Sequence, residues 1–495
     1  MSQFIRLDGL SFSYPRSTSS VLKEISLSID TGWTAVCGIN GSGKSTLLNL
    51  LSKKLVPDSG YVEVNGCIEY LKQHHMLSEV EIDELYQDYS KKSLQLKASL
   101  ELNELLARPF LELSFGEQKR MCLAFLLRKH PDILIVDEPT NHADAFTKNL
   151  IFNELKNFSG VGIVVSHDRS LLNMLAQKTI FIEEQRALFF DAPYSVALEE
   201  KKSMENYQQQ SRQNKLSIIK KQKHSLQQKC ELINKKSRCL SKKGIAKKDH
   251  DQKEKINRAK LFAADKSDSK AQRKFRQRLD NSIAELSSLK VKKEYELGAF
   301  FEDCPVSKAI HFSRQTITKN NMSIKIPDIV LEARSPVAIV GNNGCGKTTL
   351  LSYLATICPL KNFSFIPQEL SQVAKKNLWM SIDNLCREKK SHLLSLVRRL
   401  GSDPSSIADG CELSPGLWQK LSLAFAVLES HPLIMMDEPT NHMDLKAIEL
   451  LEQALMSYQG ALLIVSHDQE LIKNIGAQKL EISRQGSISL AQFVS

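Results

Sequence analysis

No apolar run in this 495-residue sequence approaches the ~20 residues needed to cross a bilayer. Runs such as PVAIVG and GALLIVSH are short and bounded by glycine or polar residues, the pattern of strands buried on both faces. If membranes are involved, another chain must supply the channel. The opening MSQFIRLDGLSFSYP lacks a basic leader, an apolar core and a small-residue cleavage site, so no secretory signal is expected. The ten cysteines form no CxxC pair and no metal-ligand rhythm, which excludes a disulfide scaffold or cysteine zinc site and predicts reduced thiols in a cytoplasmic protein. Helix breakers are missing from one long stretch. No proline lies between Pro193 and Pro305, and within residues 201–300 the only glycines are Gly244 and Gly298.

That stretch also carries the charge. Residues 201–300 hold 28 Lys and Arg against 11 Asp and Glu, an excess of +17, whereas the whole chain carries +11. The remainder is therefore acidic, at −6. Ile219, Leu226, Ile233 and Leu240 recur every seven residues, with Leu216 and Cys230 three positions before two of them, the spacing of a coiled-coil seam. Phe275, Leu279, Ile283, Leu286 and Leu289 form a second apolar stripe at helical spacing. The pattern predicts two antiparallel helices joined near 241–272, with the strip KKGIAKKDHDQKEK, Lys242 to Lys255, at or near the tip. A plain solvated spacer gains nothing from such an excess, because like charges repel; a polyphosphate surface removes the penalty. Few aromatics are present (Tyr207, Phe262, Phe275, Tyr295, Phe300), so recognition by phosphate and shape is expected rather than base stacking.

Either side of this stretch the chain repeats itself. Ser114 and Ser414, Asp137 and Asp437, Glu138 and Glu438, and His167 and His467 are each 300 positions apart, while Lys44 and Lys347 are 303 apart. A register kept across several motifs implies duplication of a whole domain, with boundaries expected at 1–195, 196–304 and 305–495.

In each copy a strand runs into a glycine loop, WTAVCGINGSGKST and VAIVGNNGCGKTT, and both fit the eight-residue phosphate-loop pattern. Gly38, Asn40, Gly41, Ser42, Gly43 and Thr46, and in the second copy Gly341, Asn343, Gly344, Gly346 and Thr349, are expected to turn backbone N–H groups and a helix start toward phosphate oxygens. Lys44 and Lys347 should reach the β- and γ-phosphates, with Ser45 and Thr348 on Mg²⁺. Apolar strands downstream end in DEPTNH, placing Asp137 and Asp437 on the Mg²⁺ side and Glu138 and Glu438 where they can orient or deprotonate an attacking water. Twenty-nine residues after each Glu stands a histidine, in VVSHD and IVSHD, whose doubled position favours contact of His167 and His467 with a γ-phosphate oxygen.

LSFGEQKR and LSPGLWQK, each shortly before DEPT, are similar to the ABC ATPase signature. With the tandem halves, the DEPTNH wording and the charged connector, the chain resembles the ABC-F group, ABC proteins that act on ribosomes. The resemblance implies an α/β protein of two P-loop ABC-type nucleotide-binding domains joined by a long basic antiparallel helical hairpin. The halves would face each other head to tail and sandwich two ATPs, pairing within a monomer. Ser414 and Gly416 would complete the site of Lys44, and Ser114 and Gly116 that of Lys347. Gln73 and Gln368 look like the family's Mg²⁺- and water-sensing glutamine, and Tyr14 is placed like its adenine-stacking aromatic, with no counterpart evident in the second half. The connector would reach rRNA and tRNA inside the ribosome. Spacing within each half leaves no room for a large extra arm, which looks more like antibiotic-resistance members than housekeeping ones. An energising subunit of a transporter with separate membrane proteins is the alternative.

Two departures from the signature stand out. Its first glycine is Phe115 in one half and Pro415 in the other, and Leu417 replaces the Glu117 of the first half. Lost backbone freedom at 115 and 415 predicts slow turnover at either site.

Overall fold

The computed structural model describes residues 3–15, 20–141, 143–239, 309–319, 322–402, 413–441, 443–485 and 488–494, with the single positions 254, 277 and 407. Contacts divide the chain into two compact units, Met1–Ala197 with Tyr295–Ser495, and Leu198–Glu294.

In the first half the strands Ile133–Asp137, Val161–Val165 and Gly32–Gly38 lie at the centre of a six-stranded sheet. Ile68–Leu71 and Lys178–Glu183 extend it in parallel, and Arg186–Phe190 closes one edge antiparallel. ILIVD and VGIVV are buried along their whole length, as expected of parallel strands covered on both faces. A separate antiparallel sheet, ordered Leu22–Asp30, Phe4–Phe12, Ser59–Asn65, packs Ile5, Leu7, Leu10 and Ile29 onto Leu47, Leu48 and Leu51 of the helix that follows the glycine loop.

The second half repeats the parallel core with Ser364–Ile366, Leu433–Asp437, Ala461–Val465, Val337–Gly341 and Gln478–Gln485, but its edge differs. Only eight positions separate Thr356 from Ser364, against seventeen between Leu51 and Ile68, so no strand equivalent to Ser59–Asn65 forms. Instead the hairpin of Gln315–Lys319 and Met322–Ile326 joins the main sheet through Ile488–Val494, making it eight-stranded. Ile310–Phe312 and Ile329–Leu331 pair by themselves.

Of the second unit, the described residues other than 254 and 277 lie in the helix Tyr194–Cys239, 46 residues long and so about 70 Å. This covers the first of the two helices expected from the heptad pattern. Leu240, the Lys242–Lys255 strip apart from Glu254, and the stripe residues Phe275, Leu279, Ile283, Leu286 and Leu289 lie outside the described residues. Among the described residues no helix is long and apolar enough to cross a membrane.

Candidate functional site

The glycine loops, the Asp-Glu pairs and the histidines lie at the carboxyl ends of parallel strands, where an α/β sheet receives ligands. Both halves contribute to one cleft of about 1570 Å³. It brings Tyr14, Gln73, the two lysines, the Asp-Glu pairs, both histidines and Gln368 together with Ser414 and Gly416. Ser114 and Gly116 do not line it, though Phe115 between them does. Gly38, Gly341 and Ser42 lie behind the lining, the first two closing the strands that feed the loops.

Each glycine loop ends in a helix whose cap is a left-handed glycine, Gly43 and Gly346, both at φ 101°. A Cβ on Gly43 would meet Val21 Cγ1 at 2.9 Å, so the position needs glycine for room as well as for conformation. Lys44 Nζ donates to the carbonyls of Gly38 and Ile39 at 2.9 and 3.1 Å, and Lys347 Nζ to those of Gly341 and Asn342 at 2.9 and 3.0 Å. Burial lowers the Lys44 pKa, opposed chiefly by the charge of Glu138. Tyr14 Oη lies 3.1 Å from Thr46 Oγ1, with its ring edge-on to Phe12.

Asp137 and Asp437 are buried, which raises both pKa values. Hydrogen bonds from Tyr70 and Ser45 work against the shift at Asp137, and one from Thr348 does so at Asp437. Each loop hydroxyl therefore meets the carboxylate expected to share a cation with it. Oδ1 of Asp437 is buried with no hydrogen-bond partner.

The neighbouring glutamates sit in strained backbone, Glu138 at φ 50° and Glu438 at φ 46°, which costs about 1 kcal/mol or more at each. Their N–H groups are held by the carbonyls of Val165 and Val465 at 2.8 and 2.9 Å, the ends of the strands that carry the histidines. Each carboxylate accepts from the following histidine's backbone N–H at 3.3 Å through Oε2. Oε1 faces that histidine's Nε2, at 3.3 Å for His167 and 3.5 Å for His467. Burial pushes Glu138 up to about 8, helped by Asp137, and Glu438 up to about 7. It pushes His167 down to about 4 and His467 to about 3, in each case aided by the nearby loop lysine. Neutral imidazoles thus face the carboxyls, so neither contact is an ion pair at neutral pH. Oε1 of both glutamates is buried with no hydrogen-bond partner.

Ser114 and Ser414 cap the helices Phe115–Leu127 and Pro415–Leu428, accepting from Glu117 N and Leu417 N at 3.4 and 3.3 Å. Phe115 and Pro415 are consequently first-turn helical residues, where φ is negative and proline is favoured. The conformational cost expected for replacing a glycine there does not arise.

Sequence reasoning missed Asp144 and Asp444. Each caps its own helix through Oδ1, accepting from Thr147 N at 2.9 Å and Ala447 N at 2.8 Å. Through Oδ2 each accepts from the other half's glycine loop, Asn343 N at 3.2 Å and Asn40 N at 3.1 Å. Their signal was the same 300-residue repeat, seven positions past Asp137 and Asp437.

A family model described as ABC transporter matches residues 22–141 and 325–441. The erythromycin resistance ATP-binding protein MsrA of Staphylococcus epidermidis is 30% identical over 480 residues, covering 91% of this chain and 92% of that protein. The chain belongs to the ABC-F family. As an ABC-F protein it binds ATP and hydrolyses it. A second relative, the ribosome protection protein VmlR of Bacillus subtilis (strain 168), is 29% identical over 507 residues, covering 98% of this chain and 88% of its own length. Among solved structures, an RNase-L Inhibitor shares the fold at a TM-score of 0.63 and 16% identity, covering 98% of this chain and 90% of that one. The ABC model thus matches twice within this ABC-F protein, and the relatives align along almost the whole of it.

Proposed function

We propose that this ABC-F ATPase is a cytoplasmic ribosome-binding protein that closes on two ATPs and directs its basic connector into ribosomal RNA and tRNA. The observation that carries the reading is reciprocal: each glycine loop is held by an aspartate of the opposite half. Nucleotide bound at either loop therefore reports directly to the other half. In the first site Lys44 would hold the phosphates, with Ser414 and Gly416 across the interface. In the second, Lys347 would act with Ser114 and Gly116. The unpartnered Oε1 of Glu138 or Glu438, in the ionised form, would take a proton from water as its oxygen bonds to the γ-phosphorus and the bond to the ADP oxygen breaks. His167 and His467, neutral, would orient that exchange.

Ser45 with Asp137, and Thr348 with Asp437, fit a Mg²⁺ ion, the buried and unpartnered Oδ1 of Asp437 in particular, with Gln73 and Gln368 beside them. A metal held there would supply positive charge to offset that of the phosphate oxygens. The relatives named for ribosome protection and erythromycin resistance favour a role in guarding ribosomes against antibiotics over energising a transporter. Co-sedimentation tests the reading: Glu138→Gln with Glu438→Gln should stay on ribosomes with ATP and leave with ADP. Recovery with membranes instead would overturn it.

A further inference from the structure

Arg169 begins the helix Arg169–Leu175, two residues past His167, and its side chain is only 9% exposed although it carries a full charge. Its partners all belong to the other half. Nη1 donates to Glu452 Oε2 at 3.1 Å and Nη2 to Glu452 Oε1, a bidentate pair in which the carboxylate is buried too. Nε lies 2.9 Å from Glu470 Oε2, off the N–H axis and so as an ionic contact, and Nη2 is 3.7 Å from Asp468 Oδ2. Asn474 Nδ2 also donates to Glu452 Oε2, at 3.2 Å.

The repeat does not reproduce this cluster. Three hundred positions away from Arg169, Glu452 and Glu470 stand Gln469, Phe152 and Ser170, which cannot form the same charged cluster. Only the aspartates, Asp168 and Asp468, are shared, and Asp168 is engaged by Lys148 of its own half at 2.8 Å. Its place, between the loop after His167 and the loop after His467, lies between the two ATP sites.

Strengths differ across the interface. At each ATP site a backbone N–H of one half's glycine loop donates to an aspartate of the other half, a bond in which only the acceptor is charged. Parting it leaves both groups open to water, which takes their place. Arg169 and Glu452 are joined instead by two parallel charge-assisted hydrogen bonds, each roughly twice as strong as a neutral one, with Glu470 and Asp468 adding to the attraction. As the halves part, the sites therefore separate before the Arg169 pin.

We propose that Arg169 is a positioning residue for ATP-driven closure: through Glu452, Glu470 and Asp468 it keeps the halves joined without nucleotide, and both sites open and shut about that contact. The inference rests on the closure reading above, but not on the ribosome.

Hydrogen exchange on the full-length chain, without nucleotide and with ATP in the Glu138→Gln/Glu438→Gln background, tests both separately. Gain of protection at the two glycine loops on adding ATP reports closure. The amides of Arg169–Leu175 and Leu445–Ser457 should be equally protected in either state. Loss of their protection whenever the glycine loops lose theirs overturns the pin while leaving closure intact. With the pin gone, Arg169→Gln should raise KM for ATP about tenfold, the scale of an ordinary coupling between sites, with kcat within about twofold. Arg169→Lys should recover part of the loss. Glu452→Gln serves as a second variant should Arg169→Gln fail to fold, and a fall in kcat at constant KM in either would contradict the proposal.

Discussion

The backbone N–H of Asn40 reaches across the molecule to Oδ2 of Asp444, 3.1 Å away and 404 residues on in the chain. Because Asp444 Oδ1 at the same time caps the helix Leu445–Ser457, the start of one half's helix and the phosphate loop of the other share a single side chain. The two oxygens have separate tasks, and substitution can separate them.

Asp444→Ala removes both, and calorimetry should show a stability loss of about 1 kcal/mol, the usual worth of such a cap, alongside reduced ATP turnover. Asp444→Asn offers one acceptor oxygen for two N–H groups. It should keep most of the stability and still lose turnover severalfold. Equal turnover for Asn and wild type would mean that the bond to Asn40 is not used.

Glu138 gives a pH signature. Its folded pKa, near 8, is raised above its unfolded value by burial and then by Asp137, so its contribution is fully present below about 4.5 and is lost as pH rises through 8. Glu138→Gln cannot ionise. It should therefore stabilise the nucleotide-free chain increasingly between pH 5 and 8, by at most about 1.4 kcal/mol per pH unit. Melting temperatures of the two proteins across that range decide it; a constant difference would show that the carboxyl ionises as freely as in water.

Restoring glycine to the signature should not accelerate the enzyme. Phe115 and Pro415 occupy first-turn helical positions, so Phe115→Gly and Pro415→Gly lose helix stability and regain no needed freedom. Pro415→Gly should cost about 1 kcal/mol through the looser unfolded chain, with steady-state turnover within about twofold of wild type. A large gain in turnover would revive the idea that these side chains slow the sites.

The connector's charge should appear as salt dependence. If about six phosphates are neutralised, ribosome affinity should fall on the order of 10³-fold between 50 and 200 mM salt. Replacing Lys242, Lys243, Lys247 and Lys248 with Gln should flatten that slope, as filter-binding titrations at graded salt would measure.

What could be read before the structure follows from how locally each feature is encoded. The glycine loops, the Asp-Glu strand ends and the histidines each occupy a few consecutive residues whose chemistry is complete within the motif, so they were legible together with the doubled α/β core. Asp144, Asp444 and Arg169 were not, because what defines them is a partner between 199 and 404 residues distant. Asp444 alone looks like any helix cap. The signature replacements misled for a related reason: Phe115 and Pro415 look costly against a glycine pattern, and only the cap at Ser114 or Ser414 reveals that each begins a helix. The different edge of the second sheet was hidden as well, since it depends on which strand has length enough to pair.

Chemical footprinting of rRNA and tRNA on ribosomes holding the Glu138→Gln/Glu438→Gln chain with ATP tests the central claim most directly. The account predicts protected RNA positions with ATP that vanish with ADP, and that vanish also when the four connector lysines from Lys242 to Lys248 are replaced by Gln. Protection that is absent with ATP, or that persists unchanged without those lysines, would contradict it.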